Sequence, residues 1–267
     1  MHMADALISP VVGLAMCGAS AAGIAYCSSK LKKCGNERAV PLMGVMGAFA
    51  FTAQMVNFAI PMTGSSGHIG GGLLLAILLG PEAAFLTMAS VLFVQAFFLG
   101  DGGLLALGCN IINLGFFPAY VGWRMVSQPL IGDKPGKLRL YLVSALAAVV
   151  GLQLGALGVV IQTWASGVSG LPFKPFLMLM QPIHLAIGLF EGVATAAIVA
   201  VVMRIRPDVV EMRDQLTDTP VLRPVLLMFA VFALLLGLVL SRFASERPDG
   251  LEWSIQKLTF NKIGQSH

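Results

Sequence analysis

Apolar runs of about twenty residues, broken by short polar pieces, recur along the chain. Runs of that length match the roughly 30 Å of hydrocarbon that a helix must cross in a bilayer. They predict helices near residues 8–28, 40–62, 82–99, 103–126, 139–165, 178–203 and 222–241. An eighth, near 69–80, lies between His68-Ile69-Gly70-Gly71-Gly72 and Gly80-Pro81. At 1.5 Å per residue it reaches only about 18 Å, so it is short and broken, and protein or a polar cavity must surround its unpaired backbone. The expected fold is all-α: a polytopic transmembrane helical bundle of about 7–8 membrane helices, one of them short and broken.

Composition points the same way. Of 267 residues 57% are hydrophobic and 11% charged, against roughly 25% charged in a soluble domain. The net charge of +4 does not indicate a nucleic-acid partner, because the basic residues sit in short loops between apolar runs. Segments 29–39, 124–139 and 204–223 carry four Lys or Arg each, together 12 of the chain's 17. The positive-inside rule makes these loops cytoplasmic. Alternation then requires the short helix to cross, giving eight crossings. Met1-His2, the segment from Met62 to Gly72 and the tail after residue 241 all fall outside. No Lys or Arg precedes the first apolar run, so it is expected to remain as a membrane helix rather than be cleaved as a signal. Cys17, Cys27, Cys34 and Cys109 show no C-x-x-C spacing, so neither a thiolate metal site nor a disulfide framework is indicated.

Histidine occurs only at positions 2, 68, 184 and 267. A penultimate histidine is chemically special. In Met1-His2 the free amine, the His2 amide nitrogen and the imidazole Nδ1 can close a five- and a six-membered chelate ring on one metal ion. A fourth nitrogen from His68, on the same membrane face, completes a square plane, a geometry associated with Ni(II) and Cu(II). Met1 is expected to remain, since initiator methionine is removed mainly before a small residue. Alone, His2 reads as a solvated terminal residue and His68 as a loop residue. Their shared side, beside a Gly-rich break at helix-end depth, favours the metal reading, because irregular backbone there is costly and usually functional.

The stretch from Pro61 to Gly122, PMTGSSGHIGGGLLLAILLGPEAAFLTMASVLFVQAFFLGDGGLLALGCNIINLGFFPAYVG, with the opening Met-His and with Gln181-Pro182-Ile183-His184 through Gly192, resembles the NikM/CbiM family over about residues 1–205. Members are substrate-binding subunits of nickel and cobalt energy-coupling-factor transporters. The resemblance implies a metal site made of Met1, His2 and His68, with Ni2+ or Co2+ as the transported substrate. It also implies partners: a transmembrane coupling subunit of the NikQ/CbiQ type, two ATP-binding subunits of the NikO/CbiO type, and a further small membrane subunit, in a bacterial plasma (inner) membrane. The chain has no G-x-x-x-x-G-K-[ST] loop, so it is not expected to be an ATPase itself. Residues 206–221 read as a cytoplasmic linker, and 222–267 as an additional helix with a tail similar to PDGLE-type small subunits, on Arg247-Pro248-Asp249-Gly250-Leu251-Glu252-Trp253. Those subunits usually carry a second membrane helix, and none is apparent after Trp253. The start also departs from the family pattern of Met-His, an acidic residue and Gly, reading Met1-His2-Met3-Ala4-Asp5-Ala6.

Several further polar residues stand near this chemistry. Asp101 either attracts cations and orients an imidazole or caps the following helix. Asn57, Gln95, Asn110 and Asn113 lie in apolar helices and serve either helix-to-helix hydrogen bonds or the orientation of His2 and His68. His184 and Glu191, two turns apart on one helix face, read as a structural contact before a proton relay. Gly151, Gly155 and Gly158 form a small-residue surface that either closes the bundle or seats a coupling subunit. An autonomous secondary transporter or channel is the alternative function; no carboxylate-rich midplane path or repeated halves support it. An intramembrane metal enzyme would need a His or carboxylate pair beside an open coordination position.

Overall fold

A computed structural model of the chain describes residues 1–33, 39–61, 63–132, 135–205 and 219–264. Nine helices carry the fold among the described residues: α1 Pro10–Lys33, α2 Ala39–Gln54, α3 Gly72–Leu79, α4 Pro81–Leu99, α5 over 107–131, α6 Lys137–Ser166, α7 Phe173–Ile205, α8 Thr219–Leu238 and α9 Gly250–Gly264. Of these, α1, α4, α6 and α7 have the length and hydropathy of a full membrane crossing, while α2 and α8 are shorter apolar helices. The expected 7–8 membrane helices are therefore not reproduced as a count. The expected linker lies, up to residue 218, outside the described residues, as do Cys34, Met62 and His267.

The short helix is the α3 segment. Leu73 to Leu78 are all buried, which explains a sequence apolar on every side: a helix sheathed by others has no polar face to present. Glu82, at the start of α4, forms ion pairs with Lys30 near the end of α1 and with Arg124 on α5. Since α1 leaves the N-terminal segment and runs 24 residues, about 36 Å, the α3–α4 junction sits at the end of the bundle opposite Met1.

The helices approach closely along a small-residue seam. A Cβ on Gly155 of α6 would stand 2.6 Å from the Asn113 carbonyl of α5, and one on Gly192 of α7 would stand 2.3 Å from Ala145 Cα of α6. Neither position has room for a side chain. The glycines of α6 therefore close the bundle against α5, one of the two uses their spacing allowed. Most of α5 is wound as a π-helix, Ile111–Ser127, around the internal Pro118. Proline has no N–H for the regular ladder, and π-turns are frequent near functional sites.

The sequence pattern misplaced two elements. The second apolar run predicts a helix to residue 62, yet α2 ends at Gln54. The chain then forms a small antiparallel hairpin, β1 Phe58–Ala59 with β2 Ser66–Gly67, in which Phe58 faces Gly67. Hydropathy alone could not stop the helix, because the run stays apolar through Ile60. The unexpected α9 buries Leu251, Ser254 and Leu258 on one face, with the three- and four-residue spacing of an amphipathic helix.

Candidate metal-binding site

The N-terminal residues are tied down rather than solvated. The Met3 N–H donates to Asn110 Oδ1 at 2.8 Å, Asn110 Nδ2 donates back to the Met3 carbonyl at 3.1 Å, and the Gly103 N–H adds a bond of 2.9 Å to that carbonyl. Asn110 thus treats Met3 as a strand neighbour would, on both backbone groups. Asp5 Oδ1 accepts the Ala106 N–H at 3.0 Å, and the Met3 side chain is fully buried. Gly102, at φ +84, leaves the space that Asn110 and His2 use: a Cβ there would lie 2.9 Å from Asn110 Nδ2 and 3.5 Å from His2 Cβ.

This clamp aims residues 1 and 2 at His68. The terminal amine lies 3.2 Å from His68 Nε2, across 67 residues of sequence. The rings of His2 and His68 stack with centroids 5.1 Å apart and planes 11° from parallel. His68 leaves β2, and its Nδ1 faces the Ile69 carbonyl at 3.3 Å. The loop behind it is fixed from two sides. Glu191 of α7 accepts the Gly70 N–H at 2.8 Å and the Gly71 N–H at 3.1 Å. Gln54 donates to the Gly70 carbonyl at 2.7 Å, and Gln95 donates to Gln54 Oε1 at 2.7 Å.

The residues expected near this chemistry occupy distinct places. Asp101 Oδ1 is 3.4 Å from His2 Nδ1. Asn110 clamps Met3. Gln95 reaches the His68 loop through Gln54 and also stands by His2, where a side-chain hydrogen bond opposes the lowering of the imidazole. Asn57 accepts the Ser245 N–H through its carbonyl at 2.8 Å, and it lines a polar cavity of about 180 Å3 with His2, His68, Asp101, Asp249 and Glu252. Asn113 bonds Gln162 of α6 at 2.7 Å. His184 and Glu191 do not pair: His184 Nδ1 faces the Met180 carbonyl at 2.8 Å, and its Nε2 is buried without a hydrogen-bond partner among the described residues. Sequence reasoning missed two residues. Gln54 was hidden at the end of an apolar run, and Asp249 was noticed only as part of the PDGLE-like segment. Asp249 Oδ2 lies 2.7 Å from the terminal amine.

Electrostatics put the imidazoles in their ligating form. Burial, reinforced by the terminal ammonium, lowers His68 to about 3 and holds His2 well below the usual histidine value. Both rings are therefore neutral at neutral pH, with lone pairs available. Burial would raise the Asp249 carboxyl, but the charge and hydrogen bond of the ammonium outweigh it and hold the group below the usual carboxylate range. Burial raises Asp101, with the ammonium opposing. An amine, two neutral imidazoles and nearby carboxylates, sheltered at one end of a helical bundle, form a donor set suited to a divalent cation.

The family profile described as "Cobalt uptake substrate-specific transmembrane region" (CbiM) matches residues 2–209. The chain belongs to the CbiM family. A PDGLE domain follows over residues 223–267, so this CbiM chain carries both parts in one polypeptide. It is 32% identical over 80% of its length to a protein of Archaeoglobus fulgidus named putative fused nickel transport protein NikMN, covering 69% of that protein. It is 31% identical over its full length to the probable fused nickel transport protein LarMN of Lactiplantibacillus plantarum, covering 82% of it. A crystal structure described as a transition metal transporter superposes on it with a TM-score of 0.66 at 30% identity, over 77% of this chain and 93% of the other. As a member of a nickel and cobalt transport family with several long apolar helices, it is a multi-pass membrane protein.

Proposed function

We propose that this chain is the substrate-specific binding subunit of an ATP-driven nickel or cobalt uptake transporter, and that it captures the divalent ion with the Met1 amine, the amide and Nδ1 of His2, and His68 Nε2. The observation that carries this is the 3.2 Å separation between the amine and His68 Nε2. In a chelate built from the first two residues, the ring order is amine, amide, imidazole, so the fourth ligand sits beside the amine. Two neighbouring nitrogens at bond lengths of about 2.0–2.1 Å stand ~2.9 Å apart in a square plane. The amine and His68 already approximate that spacing. Chelation by His2 Nδ1 exchanges its contact with Asp101 for the bond to the ion and leaves Asp101 as a nearby negative charge.

Residues 1–205 act in this reading as the metal-binding membrane domain, and 222–267 as a helix and tail covering its outer end. Lys30 of α1 and Arg124 of α5 meet Glu82 at the end opposite Met1, and the positive-inside rule, applied to the basic loops of the sequence, assigns that end to the cytoplasm. The ion is then captured on the external side of the bacterial inner membrane. Transport requires a coupling subunit of the NikQ/CbiQ type and two ATPases of the NikO/CbiO type, because this chain has no phosphate-binding loop of its own. Nickel is favoured over cobalt by the four-nitrogen square plane and by relatives whose names specify nickel. The test is a nickel titration of the full chain with an unmodified N-terminus, read by visible absorption. One ion per chain with a square-planar spectrum, lost in His68→Ala, supports the reading; an unchanged spectrum in that variant contradicts it.

A further inference from the structure

We propose that Asp249, in the C-terminal segment, is a positioning residue for metal capture: it holds the terminal amine in front of His68 before the ion arrives and balances the charge of the chelate afterwards. The inference rests on the metal-site reading above and adds a residue to it from a part of the chain 248 positions away.

The Asp249 segment is seated on the same hairpin that presents His68. The Pro248 carbonyl accepts the Ser66 N–H at 2.8 Å, the Arg247 carbonyl accepts the Ser66 hydroxyl at 2.7 Å, and Asp249 pairs with Ser66 in parallel register. Gly250 presses onto α7 where no side chain fits, since a Cβ would stand 2.6 Å from Ile183. Leu251 is buried beneath it. Asp249 and Glu252 then form a reciprocal capping box at the start of α9: Oδ1 accepts the Glu252 N–H at 2.8 Å, and Glu252 Oε2 faces the Asp249 N–H at 3.4 Å. Each residue of Pro-Asp-Gly-Leu-Glu thus has a contact that fixes the segment. Oδ1 is committed to the cap, and Oδ2 is left for the amine.

A free chain end would sample many directions, and ordering it costs conformational entropy. Held between Asp249 and His68, the amine is ordered before the ion arrives. When a divalent ion binds and the His2 amide gives up its proton, the chelate carries one net positive charge in a buried place. A metal-bound primary amine keeps two N–H donors, so Oδ2 can accept one of them, and its negative charge offsets that of the chelate. Removing such an outer partner typically lowers metal affinity 10–100-fold.

The experiment titrates Ni2+ into the full, detergent-purified chain with an unmodified N-terminus, comparing wild type with Asp249→Asn, Asp249→Ala and His68→Ala. Asn is as good an N-cap as Asp, so Asp249→Asn keeps α9 and isolates the charge. Both Asp249 variants are expected to bind nickel about 10–100-fold more weakly and to show, at saturation, the wild-type absorption spectrum. In the metal-free protein, the terminal amine of Asp249→Ala should react with an acylating reagent at least 10-fold faster. Affinity in Asp249→Asn equal to or tighter than wild type overturns the proposal. If the metal-site reading itself is wrong, wild type lacks the four-nitrogen spectrum or His68→Ala keeps it; if only the role of Asp249 is wrong, both of those controls behave as stated.

Discussion

Asn110 grips the backbone of Met3 at both its N–H and its carbonyl, at 2.8 and 3.1 Å, across 107 residues of sequence. The relationship turns the N-terminus into a fixed arm beside His68, because the two residues ahead of Met3 have little freedom once its peptide planes are set. It also uses a side chain well matched to the job, a primary amide that both donates and accepts.

Replacing Asn110 with Ala should therefore weaken both metal binding and the fold, by comparable amounts. Met3 keeps its bond from Gly103, so the stability loss is expected near 1–3 kcal/mol, that of a buried polar group left without a partner. Nickel affinity should fall about 10–100-fold. Thermal unfolding in detergent and a nickel titration on the same preparation measure the two effects.

Gly102→Ala addresses the same arm from the other side. The left-handed φ of +84 at this position costs a residue with a Cβ roughly 1–2 kcal/mol, and the added methyl meets the Asn110 amide. The variant should lose stability by that order and bind nickel more weakly; a fully wild-type titration would show that the Met3 clamp does not govern the site.

Glu191→Gln tests the other half of the site. One carboxylate accepts two backbone N–H groups, from Gly70 and Gly71, and a glutamine offers only one oxygen. One buried donor is left unpaired, at a cost of about 1–3 kcal/mol. The loop after His68 should then exchange its amide protons faster, a change that hydrogen–deuterium exchange followed by peptide mass spectrometry resolves.

Acid should destabilise the metal-free protein through His68. Its folded-state value of about 3 lies below the ordinary 6.5, so the unfolded chain binds a proton between those values while the folded chain does not. The stability this represents is present in full above pH 6.5 and falls as pH drops toward about 3, with a slope of roughly 1.4 kcal/mol per pH unit for one group. Asp249, also depressed, adds a loss of the same sign below the ordinary carboxylate range, while the raised Asp101 opposes it. Thermal unfolding of metal-free protein against pH should show the decline, with a shallower slope in His68→Ala.

Much of this architecture was legible in the sequence. Each of the seven long apolar runs and the short one overlaps a helix, because hydropathy is a local property, although among the described residues only α1, α4, α6 and α7 have the length and hydropathy of a full crossing. The first two residues and His68 could be assigned to one end of the bundle because loop charge sets alternation, and the structure brings them together. Elements that depend on distant partners were not legible. Nothing in the run through Ile60 stops α2 at Gln54; the stop follows from the Gln54 amide bonding Gly70 and from the hairpin that carries His68. Asp249 looked like one letter of a family motif, and its place beside the amine depends on a docking surface made by Ser66 and Ile183. His184 and Glu191 shared a helix face, yet their partners lie on different elements: the Met180 carbonyl one turn back, and the Gly70 and Gly71 N–H groups of the His68 loop.

The central claim is that the chain's own terminal amine is a metal ligand. Extending the protein by Gly-Ser ahead of Met1 converts that amine to an amide while leaving every side chain in place. Nickel titration of the extended chain, read by visible absorption, should show the square-planar spectrum gone and tight binding lost. Retention of that spectrum at wild-type affinity would contradict the account.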